Sequence, residues 1–138
     1  MAIIKSLATS FKAEILKGIH DSEDVYKIAL YTNEATLGTS TTTYSATNEI
    51  SGVGYVAGGI ALSGFNVTIS GTTTILDFND PVWTNATITA RGALIYNQSK
   101  SNKAVCVLDF GSDIISTSGD FTIIFPEPNA ENGLIRLG

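Results

Sequence analysis

The sequence predicts an all-β protein, a two-sheet antiparallel sandwich that is jelly-roll-like and carries one short N-terminal helix. Three observations predict this fold class. Most apolar segments alternate with a period of two, clusters of Gly, Asn, Asp and Ser separate them, and no regular alternation of strands with helices is present. The 138 residues fit a single β-sandwich domain over residues 1–138, with an N-terminal arm and helix over residues 1–20 and strands over residues 25–138.

The N-terminal segment predicts the one helix. Phe11, Ile15 and Ile19 recur at helical spacing, so their side chains share one face. Thr9, or the serine after it, is suited to cap the start, and Gly18 stands near the end. The polar run HDSED then ends the helix.

The first half of the chain predicts strands interrupted by a long polar stretch. Residues 26–31 alternate in polarity and predict a strand. Residues 32–48 are poor in apolar side chains and predict a long loop or a frayed edge strand. Five glycines punctuate residues 51–64, where we expect strand pieces at 55–57 and 60–62 with a bend at the Gly-Gly pair between them.

The central hairpin is the most apolar part of the sequence. The runs TITARGALIY and AVCVLDF, within residues 87–110, flank a polar loop at residues 97–103. Apolar side chains occupy both faces of each run. We therefore expect these two strands to lie in the middle of a sheet with both faces covered.

The remaining strands follow from alternation and turn residues. Residues 65–69 and 72–78 alternate on either side of a Ser-Gly turn, which predicts a second hairpin. Residues 121–125 predict a further strand that ends at a Pro-Glu-Pro sequence. The tail at residues 134–137 predicts a last one.

Composition and charge restrict the partners. The net charge is −5 and the eight Lys and Arg residues are scattered, so we expect no nucleic acid partner. No apolar run approaches the roughly 18 residues that span a bilayer, and the N-terminus lacks a secretory leader. We therefore expect no membrane insertion and synthesis in the cytoplasm of the cell that makes the chain.

Few residues are suited to catalysis or metal binding. His20 is the only histidine and lies at the end of the predicted helix, where a cation is favourable. Cys106 is the only cysteine and alternates within a strand pattern, which is typical of a small buried apolar side chain. One His and one Cys do not make a zinc site or a catalytic triad. The sequence predicts no enzyme, no catalytic residue, no metal and no cofactor.

Two groups of acidic residues leave alternatives open. Asp77 and Asp80 follow one predicted strand, and Asp109 and Asp113 follow another. Such residues are common in turns and helix or strand caps, which is the favoured interpretation. Oxygen ligands for a structural cation, or a pair of acids that hydrolyses a glycoside, are the two alternatives.

Short motifs are spread along nearly the whole chain. They are FK at 11–12, GIHD at 18–21, YKIALYT at 26–32, YS and NE within 44–49, GVGY and GG within 52–59, Trp83, RGALIY at 91–96 and LDFG at 108–111. Together they resemble small virion proteins of tailed bacteriophages, of the capsid cement or decoration type. The resemblance implies a jelly-roll-like fold, oligomers that clamp neighbouring capsid subunits, and no catalytic residues.

We therefore expect a virion protein on the capsid exterior, made in the host bacterial cytoplasm, that binds the phage major capsid protein as a homo-oligomer (dimer or trimer). Five residues are the expected partner contacts: Lys100 and Lys103 at the central hairpin loop, Phe11 in the N-terminal segment, and Thr41 and Thr42 in the Thr-rich loop. The alternative is a tail or fibre module that binds host-surface carbohydrate through exposed aromatic rings.

Overall fold

The computed structural model describes residues 2–137, and it confirms an all-β fold with two antiparallel sheets and one short helix. The strands are β1 (Ser6–Leu7), β2 (Tyr26–Tyr31), β3 (Ile60–Ala61), β4 (Asn66–Ser70), β5 (Thr73–Asp77), β6 (Val82–Asn97), β7 (Lys103–Thr122) and β8 (Ile135–Leu137). The helix α1 is Thr9–Leu16. The larger sheet has the order β1-β7-β6-β2-β3, and the smaller sheet has the order β4-β5-β8.

The predicted central hairpin is formed by β6 and β7, which are 16 and 20 residues long. A 3-10 turn, Gln98–Lys100, joins them, and Ser101 and Asn102 complete the reversal with positive φ angles of 58° and 59°. The strand expected at residues 121–125 is not separate, because β7 continues to Thr122 while paired with β6.

The hairpin strands are buried on both faces near the loop, as expected. Leu94, Ile95 and Val105 have no exposed surface. On one face the ring of Tyr26, in the neighbouring strand β2, lies 5.4 Å from the ring of Phe65. Phe65 directly precedes β4, so this contact connects the large sheet to the small sheet. On the other face Tyr96 stacks on Tyr44 at 4.7 Å. The small sheet and α1 therefore cover one side, and the loop between β2 and β3 covers the other.

Three local predictions differ from the structure. The helix begins after Ala8, which provides no side-chain cap. It ends at Leu16 because Gly18, with a φ of 72°, turns the chain away. Residues 55–57 form turns rather than a strand, since their backbone is held by short-range bonds such as Gly59 N–H to the Val56 carbonyl at 2.9 Å.

Candidate functional site

The hairpin loop expected to contact a partner is anchored to its own chain. The Lys100 ammonium group donates to both carboxylate oxygens of Asp24, at 2.7 and 2.8 Å. Burial opposes ionisation of Asp24, but hydrogen bonds from Asn97 and Lys100 outweigh it and lower the pKa of this carboxyl. Lys100 is thus already paired within the chain and is only partly exposed.

Behind this ion pair lies a buried polar cluster. The Asn97 amide donates to Asp24 at 2.8 Å and to His20 Nδ1 at 3.0 Å. Since Nδ1 accepts, the His20 proton is on Nε2, which donates to Glu14 at 2.9 Å. His20 therefore holds the end of α1 against the hairpin, and only 4% of its side chain is exposed.

The other expected contact residues occupy different environments. Phe11 is only 2% exposed and packs 4.7 Å from the His20 ring, so it belongs to the core and offers a partner no surface. Thr41 closes a turn by accepting from Gly38 N–H at 3.0 Å. Thr42 is exposed, and its carbonyl accepts from Ala104 N–H at 2.9 Å. Lys103 is half-buried and makes no ion pair with the residues the structure describes.

The two acidic groups are held in different ways. Asp109 accepts from Gly111 N–H at 2.9 Å and from Arg91 Nε at 3.1 Å, and both bonds lower its pKa. Asp80 caps the backbone by accepting from Phe125 N–H at 2.8 Å. Burial raises the pKa of Asp77, and the nearby charge of Asp80 adds to this effect. Within residues 2–137 no group of three or more His, Cys, Asp or Glu side chains is arranged to hold a metal ion.

Cys106 is a buried thiol, as its alternation in the sequence indicates. It is 3% exposed, and burial raises its pKa to about 12. Because the thiolate is the reactive form, this cysteine acts as a small apolar side chain of the core.

One long strand edge is left open. On its outer side β7 pairs with β1 only at Cys106 and Val107. Beyond these two residues, from Leu108 to Thr122, β7 pairs with β6 alone among the residues described. Its register against β6 shifts around Gly111, whose φ is 81°, and again between Ser116 and Gly119, so the strand bulges at both places. We call the part of the hairpin formed by residues 82–91 and 108–124 the ribbon end.

An apolar groove lies beside this edge. It has a volume of about 360 Å³ and is lined by Phe110, Ile114 and residues 121–124. The rings of Phe110 and Phe121 lie 6.3 Å apart. Ile124 is 79% exposed and Ile114 is 42% exposed, so the groove is open to a partner. We call it the ribbon groove.

A second apolar groove lies between α1 and the small sheet. Its volume is about 180 Å³, and its lining includes Ile15, Phe65 and Val67. Near it the apolar side chains of Ile69 and Leu16 are 77% and 90% exposed. We call it the small-sheet groove. It shares no lining residue with the ribbon groove. The sequence shows the alternation of Val67 and Ile69 but not which of the faces of β4 is left uncovered.

A half-buried carboxylate organises the loop that covers the other face. Glu49 accepts from Gly58 N–H at 2.7 Å, from Tyr44 at 2.5 Å and from the hydroxyl of Tyr55. The Tyr96 hydroxyl donates to the Gly58 carbonyl at 2.6 Å. These residues belong to the motifs YS, NE, GVGY, GG and RGALIY, and in this structure they hold residues 32–59 onto the large sheet.

The tyrosines predict a sharp alkaline transition. All five have pKa values above the ordinary 10.0; for Tyr26 burial raises the pKa to about 12. The folded state thus favours the protonated phenols, so their contribution to stability is complete below pH 10 and is lost as pH rises through 12 and beyond. We expect tyrosinate absorbance to rise together with the loss of circular dichroism, whereas the urea-unfolded chain should titrate near pH 10. Gradual tyrosine ionisation in a still-folded chain would contradict this.

No family model, curated protein or solved structure matches the chain. Within the described residues no helix is long and apolar enough to cross a membrane. Function is therefore inferred from the residues and their geometry.

Proposed function

We propose that the protein is a non-enzymatic structural component of a tailed-phage virion, on the capsid exterior, that binds and stabilises the assembled shell of major capsid protein. The observation that carries the proposal is the pair of apolar grooves that share no lining residue. Exposed apolar patches of this kind mark interaction surfaces, and two of them allow one domain to contact two neighbours. The sequence motifs point to the same class of protein.

The mechanism follows from mass action. A domain that contacts two capsid subunits buries surface that is available only in the assembled lattice. Binding to the assembled state and not to free subunits lowers the free energy of the shell. A homo-oligomer, dimer or trimer, multiplies these contacts around a symmetry axis.

The carbohydrate-binding alternative finds less support. It expects exposed aromatic rings on which a sugar stacks. Trp83 is 2% exposed, and each Phe and Tyr ring of the chain is buried or half-buried. The large exposed side chains that line the two grooves are aliphatic, such as Val67 in one and Ile124 in the other.

The test uses purified protein and capsids that lack it. We expect the protein to cosediment with these capsids, and virions without it to lose infectivity faster on heating and in low salt. Val67→Asp and Ile124→Asp should each weaken cosedimentation about tenfold, since each side chain lines a groove and the change places a charge in an apolar contact. The matched control is Val56→Asp, which is 74% exposed and lines neither groove.

Charge reversal at the hairpin loop tests the remaining predicted contact. Lys103→Glu should weaken capsid binding without unfolding the chain, whereas Lys100→Glu also breaks the ion pair with Asp24. Failure of the wild-type protein to bind capsids, with virions equally resistant without it, would show that the proposed function is wrong.

A further inference from the structure

The free edge of β7 exposes backbone hydrogen-bonding groups. From Leu108 to Thr122 its outer side has no strand partner within residues 2–137. An open strand edge presents backbone N–H and C=O groups that pair with another extended chain, and natural proteins cover or protect long ones. The groups at this edge are therefore complementary to a polypeptide strand.

The charge along the edge restricts the occupant. After Lys103 the only charged residues of β7 are Asp109, Asp113 and Asp120. Asp109 is paired with Arg91. Asp113 accepts only from the neutral amide of Asn33, at 3.2 Å, and makes no ion pair with the residues described; Asp120 makes none either. The edge thus carries two uncompensated negative charges.

A second copy of this chain is a poor occupant. Antiparallel pairing of two identical edges brings like-charged strands together, and like charges across a strand pair are destabilising. The acidic residues therefore oppose self-association at this edge, while they attract a strand that carries lysine or arginine.

The adjacent groove adds a second requirement. Ile114 and Phe121 line the ribbon groove, and each directly follows an acidic residue. Asp120 and Phe121 are neighbours in a paired stretch of β7, so their side chains point to opposite faces. An added strand beside them therefore meets the apolar groove on one face and the negative charge of Asp120 on the other.

We propose that the free edge of β7 binds, by β-strand addition, an extended segment of a partner protein in which apolar residues alternate with lysine or arginine. The inference refines the proposed function, because it names the chemistry of the partner at the ribbon end. Its test uses no capsid, so a negative result would contradict strand addition at this edge without contradicting capsid binding.

The test compares two synthetic peptides of equal length, one alternating Val with Lys and one alternating Val with Glu. We expect the lysine peptide to bind the full chain at least about tenfold more tightly at low salt, with the preference reduced by added salt. Hydrogen exchange should show new protection of backbone amides within residues 108–122.

Charge-reversed variants complete the test. Asp113→Lys/Asp120→Lys should reverse the peptide preference. The control, Glu23→Lys/Glu131→Lys, changes the net charge equally at exposed positions outside residues 108–122 and should retain it. Equal binding of the two peptides, no binding at about 1 mM, or protection confined to other strands would overturn the proposal. Should the edge variant not fold, the peptide preference and exchange pattern of the wild type still decide the question.

Discussion

Replacing Gly59 with alanine should remove most of the stability of the fold. Gly59 precedes β3 and crosses β2 so closely that an added Cβ would overlap the carbonyl oxygen of Ile28 and lie 2.6 Å from its carbonyl carbon. Its φ of 80° adds the strain of a left-handed backbone. The obstructing atoms belong to the backbone of a buried strand, so no side-chain rotation relieves the overlap. We expect a loss of about 4 kcal/mol or more in the free energy of unfolding, measured by urea denaturation.

Gly71→Ala is the matched control. Gly71 has a φ of 61°, and nothing lies within 4 Å of the Cβ that alanine would add. It therefore experiences the backbone strain without the steric overlap, and we expect a loss of about 1 kcal/mol. Similar losses at both positions would show that the close approach of the chain to Ile28 is not what requires glycine.

Glu49→Ala should have the second largest effect. The substitution leaves the hydroxyls of Tyr44 and Tyr55 and the N–H of Gly58 without their acceptor. Hydrogen bonds to a charged group contribute about 1.5–3 kcal/mol each, and an unpaired buried donor has a cost of its own. Because water replaces part of the lost bonding at this half-buried position, we expect a net loss of about 3 kcal/mol in the free energy of unfolding.

Two comparisons isolate the role of this carboxylate. Glu34→Ala, in the same loop, removes an exposed side chain that makes no hydrogen bond with the described residues, and stability should change by less than about 0.5 kcal/mol. In a double-mutant cycle Tyr55→Phe should cost less when Glu49 is already absent. Additive losses would mean that the tyrosine and the carboxylate act independently.

Much of the fold was predictable because its signals are local. Alternation identifies β2, the β4–β5 hairpin and the β6–β7 hairpin, since a period of two follows directly from strand geometry. Glycine clusters were less informative. The same glycine-rich spacing is compatible with a bent strand and with successive turns. In the structure the hydrogen bonds of Tyr55 and Gly58 to Glu49 stabilise turns around residues 55–57.

The candidate surface was predictable only in part. The loop of the β6–β7 hairpin is found where the sequence predicts it. Lys100, however, forms an ion pair with Asp24, which lies 76 positions earlier in the chain. Phe11 is buried by contacts with His20. Helical spacing places Phe11 on the apolar face of α1, but whether that face packs on the core or on a partner depends on the packed elements.

By itself the sequence determined most of the strands, the absence of a metal or nucleophile motif, and the apolar character of the central hairpin. The tertiary structure alone decided which surfaces remain open. β1 pairs with β7 at two positions, and from Leu108 to Thr122 the outer side of β7 has no strand partner among residues 2–137. The physical reason is that periodicity reports on neighbours in the chain, whereas the coverage of an edge or a groove depends on contacts between residues far apart in sequence.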